Sequence, residues 1–155
     1  MNQPAPSKTA AAIETSEPKD NIPDGMEKAP EDTTVNFSLS PGFLPFMERL
    51  NISVALTSYQ YSKFFLLGRS PNKRLMIFQR MYHKAMGLCV QGNSIILGTL
   101  FQIARFENIL DKGQAVNNTH DACYVPRVMY TTGELDAHDV CLLPNNDIIF
   151  VNTKY

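Results

Sequence analysis

The segment at residues 87–99 of this 155-residue chain has a near copy at residues 139–153. Cys89 aligns with Cys141 at an offset of 52, and Ile96 aligns with Ile149 at an offset of 53. Each copy runs from a strand with small residues through an Asn-containing turn into a more hydrophobic strand. A weaker third copy begins at Ser53 and continues into residues 64–68. Repeats of roughly 40 to 50 residues with several strands each are typical of β-propeller blades, so the repeat predicts a propeller-like fold.

The body of the chain consists of short runs rich in β-branched, aromatic and aliphatic residues. Turn formers such as Gly92-Asn93 and Pro144-Asn145 separate these runs. Strands of this length joined by short turns predict an antiparallel all-β architecture. The nine predicted strands are residues 52–57, 64–68, 74–80, 87–90, 94–98, 102–106, 124–130, 140–143 and 148–151.

One helix is predicted before the strands. Its apolar positions have the i, i+1, i+3, i+4, i+7 spacing that places them on a single helical face, and the helix should end near Asn51. They are Phe43, Leu44, Phe46, Met47 and Leu50.

The first 35 residues differ from the rest in composition. They hold none of the aromatic residues, half of the prolines, and seven acidic residues against three lysines. A stretch of this kind buries too little apolar surface to offset the entropy of ordering its backbone. We therefore expect residues 1–35 to be a disordered tail and residues 36–155 to form one domain.

Composition also bears on compartment and partners. The start of the chain has no apolar run long enough for an export signal, and the later apolar runs are of strand length, so we expect a soluble, cytoplasmic protein. A net charge of −1 and a pI of about 6.3 argue against nucleic-acid or membrane partners. Three widely spaced cysteines form neither a disulfide framework nor a zinc pattern, and we expect reduced thiols, with Cys89 and Cys141 both buried at their matching apolar strand positions.

Two resemblances agree with the propeller prediction. Residues 87–108 resemble one blade of the six-bladed NHL-repeat and gluconolactonase-like propellers. Residues 51–60, 86–88, 102–108, 124–139 and 149–153 resemble the opening third to half of an uncharacterised, mainly bacterial family of conserved proteins with a propeller-like domain. Members of that family are roughly twice as long and have no settled activity, so the resemblance implies a fold more than a function.

The length predicts an incomplete propeller. About 120 ordered residues at 52 per repeat make a little over two blades, whereas a closed propeller needs about 4 to 8 blades. We therefore expect the N-terminal piece of a propeller, a truncated product or a fragment. Its last strand, residues 148–151, would then leave an open edge through which the chain self-associates or binds the complementary half.

His138 and Asp139 are the first candidates for a binding site. They precede the predicted inner strand of the second copy, where propeller side chains point into the central channel. An imidazole beside a carboxylate can bind a metal or act in acid–base chemistry. The alternative is that either side chain hydrogen-bonds to the backbone of a neighbouring strand. The equivalent residues of the other copy are Met86 and Gly87, so only one copy offers such ligands.

Tyr124, Arg127 and Asn152 are the other candidates. Arg127 lies between tyrosines, where its guanidinium can hold an anionic ligand or stack on its rings. Alternatively, Pro126 marks an edge or bulged strand whose Arg127 pairs with Glu134 or Asp136. Asn152 follows the last predicted strand, at the expected mouth of the channel.

Two functions fit these residues. The first is a propeller-type binding or interaction module for a small molecule or a protein. The second, implied by the gluconolactonase-like resemblance, is a metal-assisted hydrolase or isomerase of small polar or carbohydrate-like substrates, with its site in the channel. The pattern identifies no cofactor and no metal, and a fold alone cannot choose between the two functions.

Overall fold

The computed structural model of the chain describes residues 35–154. Residues 1–34 of the predicted disordered tail lie outside the described residues. Residues 35–40 have no regular secondary structure, and the helix and strands below belong to one compact unit, Pro41–Tyr155.

Helix α1 spans Phe43–Leu50, as the spacing predicts. It ends at Asn51, whose left-handed backbone (φ 51°) lets its N–H reach the Glu48 carbonyl at 3.1 Å. Met47 is fully buried, while the Glu48 carboxylate pairs with Arg69 at 2.9 Å and Lys73 at 3.3 Å. One apolar and one charged contact therefore hold the helix against the strands that follow it in the chain.

All nine predicted strands are present in the described part of the chain. They are β1 (Val54–Ser58), β2 (Lys63–Arg69), β3 (Leu75–Met81), β4 (Leu88–Gln91), β5 (Ser94–Gly98), β6 (Gln102–Asn108), β7 (Tyr124–Thr131), β8 (Val140–Leu142) and β9 (Ile148–Phe150). They form a first sheet β1-β2-β3, a middle sheet β4-β5-β6-β7 and a last sheet β8-β9, with every neighbouring pair antiparallel. The antiparallel all-β prediction is confirmed.

The two copies of the sequence repeat fold into equivalent hairpins. In β4–β5, Cys89 lies opposite Ile96, and in β8–β9, Cys141 lies opposite Ile149. The flanking pairs follow the same offsets of 52 and 53 residues, because Leu88↔Leu97 corresponds to Val140↔Phe150. The alignment read from the sequence is therefore the structural register of the two hairpins.

The middle sheet packs on both of its faces. One face presents Ile95, Leu97 and Phe106 to Phe64 of the first sheet, whose ring stacks on that of Phe106 with centroids 6.3 Å apart. The other face presents Ile96 and Ile103 to the last sheet. The residues that meet them are Ala137, which precedes β8, and Val140, Leu142 and Ile148 of the last sheet. The three sheets thus stack face to face, and β4 contacts both β1 and β8.

The orientation of β1 corrects the predicted third copy. The Thr57 hydroxyl, near the end of β1, donates to the Met86 carbonyl, just before the start of β4, at 2.7 Å. β1 therefore ends where β4 begins, so it runs in the direction of β5 and is not equivalent to β4. Its sequence resembles that of an inner strand because both are short and apolar, but the order β1-β2-β3 matches β5-β6-β7. The described residues accordingly form parts of three sheets, with nine strands in total.

The expected burial of the two matching cysteines is wrong for Cys141. Cys89 is half-buried because its face of the middle sheet lies under the last sheet, whereas Cys141 is exposed. Ile96 and Ile149, the partners of these cysteines across the strands, differ in the same way. All three cysteines are free thiols, in agreement with the prediction.

Candidate functional site

The link between β7 and β8, residues 132–139, places the first candidates beside the start of β4. The Gly87 N–H donates to the Ala137 carbonyl at 3.0 Å. A Cβ atom on Gly98 would lie 2.9 Å from that same carbonyl oxygen, and one on Gly87 would lie 3.0 Å from the Cα of Asp139. The two glycines therefore allow the link to approach the middle sheet at backbone distance.

His138 and Asp139 are both exposed at this point. The Asp139 carboxylate accepts the N–H of Val140 at 2.9 Å, and its backbone carbonyl accepts the N–H of Val151, also at 2.9 Å. Asp139 thus stabilises the beginning of β8 and fastens it to the end of β9. The described residues provide no hydrogen bond to the His138 imidazole, which leaves the ring open to solvent.

Asn152 lies at the same end of the molecule, next to the bond between Val151 and Asp139. Its side-chain oxygen accepts the N–H of Lys154 at 2.9 Å and closes a local turn. The structure therefore brings His138, Asp139 and Asn152 together at the end where β4 and β8 begin. A ligand-binding role for them stays a prediction.

Tyr124 and Arg127 lie elsewhere, on β7. Tyr124 pairs with Asn108, the last residue of β6, which places it at the opposite end of the middle sheet. Its ring packs against the core cluster around Phe106. This burial, followed by the nearby charges of Asp121 and Glu107, raises the pKa of its hydroxyl.

Arg127 occupies a β-bulge on an edge strand. The pairing passes from Arg105↔Val128 to Phe106↔Pro126, so Arg127 has no partner in the ladder and is exposed. The edge and the bulge are as predicted from Pro126. The predicted pairing with Glu134 or Asp136 is not what the described residues show, because those carboxylates pair with Lys154 and Lys84.

A polar network joins the middle sheet to the turn between β8 and β9. The buried Ser94 hydroxyl donates to the Glu107 carboxylate at 2.8 Å, and the Arg105 guanidinium binds the same carboxylate and also reaches Asn146 Oδ1 at 3.4 Å. Burial raises the pKa of Glu107, but the hydrogen bonds from Arg105 and Ser94 and the charges of Arg105 and Arg127 outweigh it, so the net pKa is lowered. The network is therefore a polar contact between the middle sheet and the turn of the last sheet.

Sequence reasoning missed a second charged group near the candidates. Asp136 has a left-handed backbone (φ 46°), and its carboxylate lies 3.7 Å from Lys84 Nζ and 3.9 Å from Lys154 Nζ. Its buried Oδ1 atom has no hydrogen-bond partner among the described residues. Lys84 also lies over the Tyr59 ring, 5.6 Å from its centroid. Only a comparison of the two links that precede β4 and β8 could have suggested this pair from the sequence.

Within residues 35–154 there is no group of three or more His, Cys, Asp and Glu side chains that could hold a metal ion. Over the same residues, no helix is long and apolar enough to cross a membrane.

The fold defines a class of antiparallel all-β proteins built from sheets that stack face to face. A family model described as a domain of unknown function, DUF4915, matches residues 41–155, and the chain belongs to that family. The predicted membership of an uncharacterised family is thereby confirmed, while the propeller remains a prediction. Neither a search of curated proteins nor a search of solved structures found a significant match.

Proposed function

We propose that the chain is a β-propeller-type interaction module that binds a further antiparallel β-sheet on the open face of its last sheet. The radial order of the strands supports this function. β4 contacts β8, so the first strands of the middle and last sheets lie next to each other, as the inner strands of propeller blades do, and β1 lies against the other side of β4. In such a stack, each sheet has an apolar face that the next sheet covers.

The observation that carries the proposal is the difference between Ile96 and Ile149. These residues hold the same position in the two hairpins, yet Ile96 is 0 % exposed and Ile149 is 53 % exposed. The last sheet covers Ile96, whereas no described residue covers Ile149. The two hairpins have the same register and the same alternation of aliphatic residues. The partner that fits the face around Ile149 is therefore a β-sheet like the one that covers Ile96.

The contact between the last sheet and the middle sheet indicates which side chains the bound sheet should carry. Val140, Leu142 and Ile148 of the last sheet cover the middle sheet with aliphatic side chains at alternate strand positions. We therefore assign the open face, lined by Cys141 and Ile149 and flanked by Val151, to a hairpin with the same alternation. Burial of a few hundred Å² of apolar surface contributes on the order of 10 kcal/mol, enough to exceed the lower estimates for the entropy cost of association.

A cyclised peptide that copies residues 137–151, with Cys141→Ser in the peptide, tests the proposal on the intact chain. Bound peptide should cover Cys141 of the protein and slow its reaction with a thiol reagent, read residue by residue with mass spectrometry. A control peptide in which Val140, Leu142 and Ile148 are changed to Ser should not slow it. Equal effects of the two peptides, or none from the first, would contradict the proposal.

Two variants of the protein locate the bound surface. Ile149→Lys should abolish peptide binding, because a charge then lies at the centre of the apolar face. Val90→Lys is the matched control, since Val90 is also 53 % exposed but lies on β4 of the middle sheet. It should bind the peptide as the unmodified chain does. The same pair tests self-association: if copies associate through this face, beside the predicted open edge of residues 148–151, Ile149→Lys and not Val90→Lys should reduce the mass in solution.

A further inference from the structure

Among the described residues, the first sheet has three strands and the middle sheet has four, and the strand that the first sheet lacks is the counterpart of β4. β1, β2 and β3 match β5, β6 and β7 in order, and in both sheets the last strand leads through a short link into the first strand of the next sheet. The middle sheet carries β4 beside β5, but the first sheet has no described strand beside β1. We propose that the free edge of β1 binds an additional β-strand, antiparallel to it, in the position that β4 takes beside β5.

The backbone of β1 is available for this pairing. All five of its residues pair with β2 on one side, and no described residue forms a backbone hydrogen bond with its other side. A strand in a sheet directs alternate N–H and C=O groups to each side, so β1 presents unpaired donors and acceptors along its free edge. Main-chain pairing of an extended segment with such an edge is an established mode of recognition.

The direction of the added strand follows from that of β1. Since β1 ends where β4 begins, an antiparallel partner starts at that end and runs alongside β4, as β8 does on its other side. The hydrogen bond from Thr57 to Met86 holds β1 and the start of β4 together at that end. The added strand would therefore complete a row of equivalent first strands.

The side chains of β4 and β8 indicate what the strand carries. In β4, Leu88 packs on the cluster that contains Ile95 and Leu97, and in β8, Val140 and Leu142 are buried. A partner for β1 should likewise have aliphatic residues at alternate positions, over a length of about four or five residues. This inference concerns the first sheet alone and does not depend on the open face of the last sheet.

A peptide that copies residues 86–92, with Cys89→Ser to avoid disulfides, tests the inference by amide hydrogen exchange on the unmodified protein. At ten times its dissociation constant, a bound peptide reduces the free fraction about elevenfold, so alternate amides of Val54–Ser58 should exchange about elevenfold more slowly. Slower exchange only at Ile148–Phe150, equal slowing in all three sheets, or no slowing would overturn the inference.

Two N-methylated forms of the peptide test whether the backbone carries the binding. One form is methylated at Leu88 and Val90, the other at positions 89 and 91. Because a strand turns alternate N–H groups to one side, one form should lose the effect on β1 and the other should keep it. Equal retention or equal loss in both forms would overturn main-chain pairing.

Discussion

The hairpins β4–β5 and β8–β9 share a register, a turn chemistry and a pattern of aliphatic residues, yet they differ in what covers them. β5 is buried along its whole length, whereas β9 has two exposed residues out of three. The difference lies in the neighbours: β5 has β6 beside it and a sheet on each face, and β9 has neither among the described residues. Local sequence therefore encodes a hairpin and its register, while burial depends on the next sheet in the stack.

The largest difference should come from equivalent core substitutions. Ile96→Ala removes a fully buried side chain between two sheets and should lower the free energy of unfolding by about 2–5 kcal/mol. Ile149→Ala, at the same position of the other hairpin, should change it by about 0.5 kcal/mol or less. Urea unfolding followed by circular dichroism measures both. Similar losses would mean that Ile149 is covered in solution, in contradiction to the comparison.

The glycine at the end of β5 provides the next contrast. Gly98 corresponds to Val151 in the second hairpin, and a Cβ at Gly98 would meet Ala137 O at 2.9 Å. Gly98→Ala should therefore push the link away and cost about 1–3 kcal/mol. Gly68→Ala in β2 is the control, because its nearest neighbour would be Ser53 Oγ at 3.9 Å. If the two variants have equal thermal midpoints, the close packing of the link does not contribute to stability.

Much of the fold could be predicted because its signals are local. The spacing from Phe43 to Leu50 predicts α1, and Ser94–Gly98 is predicted to the residue as β5. The orientation of β1 could not be predicted in this way, because a short apolar strand has the same pattern in either direction. Thr57 and Met86, whose hydrogen bond reveals that direction, are 29 residues apart in the sequence.

In the candidate site, too, contacts between residues close in sequence could be predicted, and contacts between distant segments could not. His138 and Asp139 are adjacent in sequence and necessarily close, and the approach of Asn152 follows from the hairpin register. Tyr124 lies at the other end of the middle sheet because β7 runs along the whole length of β6. The pair of Asp136 and Lys84 joins two different links, so its formation depends on the stacking of sheets, which single-strand patterns do not encode.

The polar residue that begins β5 should show a smaller effect than Ile96. Ser94 is buried and donates to Glu107, whereas its counterpart Asp147 is exposed in the turn before β9. Ser94→Ala should cost about 1–2 kcal/mol, because a hydrogen bond to a charged group is lost inside the stack. Asp147→Ala should cost less, since its partner Asn145 is exposed as well. A double variant with Glu107→Gln checks the cause: the cost of Ser94→Ala should shrink when Glu107 is neutral.

The smallest expected effect is on the pH dependence of stability, through the network of Glu107, Arg105 and Asn146 that joins the two hairpins. The folded pKa of Glu107 is lowered below its ordinary 4.5, so its contribution to stability is present above that value and is lost as pH falls through the folded pKa. Glu107→Gln should therefore flatten part of the acid loss of stability, by about 1 kcal/mol or less. Glu48→Gln is the control, because hydrogen bonding and charge attraction from Lys73, with Arg69, also lower the pKa of Glu48, but at the first sheet. Amide hydrogen exchange, read strand by strand, distinguishes the effect of Glu107→Gln from that of Glu48→Gln.

Since Arg105 holds both Glu107 and Asn146, only Glu107→Gln should speed amide exchange in the turn between β8 and β9 at neutral pH. The substitution removes the carboxylate that orients the Arg105 guanidinium toward Asn146, so the polar contact between the middle sheet and the β8–β9 turn is lost. Equal exchange in the two variants would show that the network belongs to the middle sheet and does not fasten the last one. The second hairpin would in that case be positioned by Val140 and Leu142, together with the backbone bond between Gly87 and Ala137.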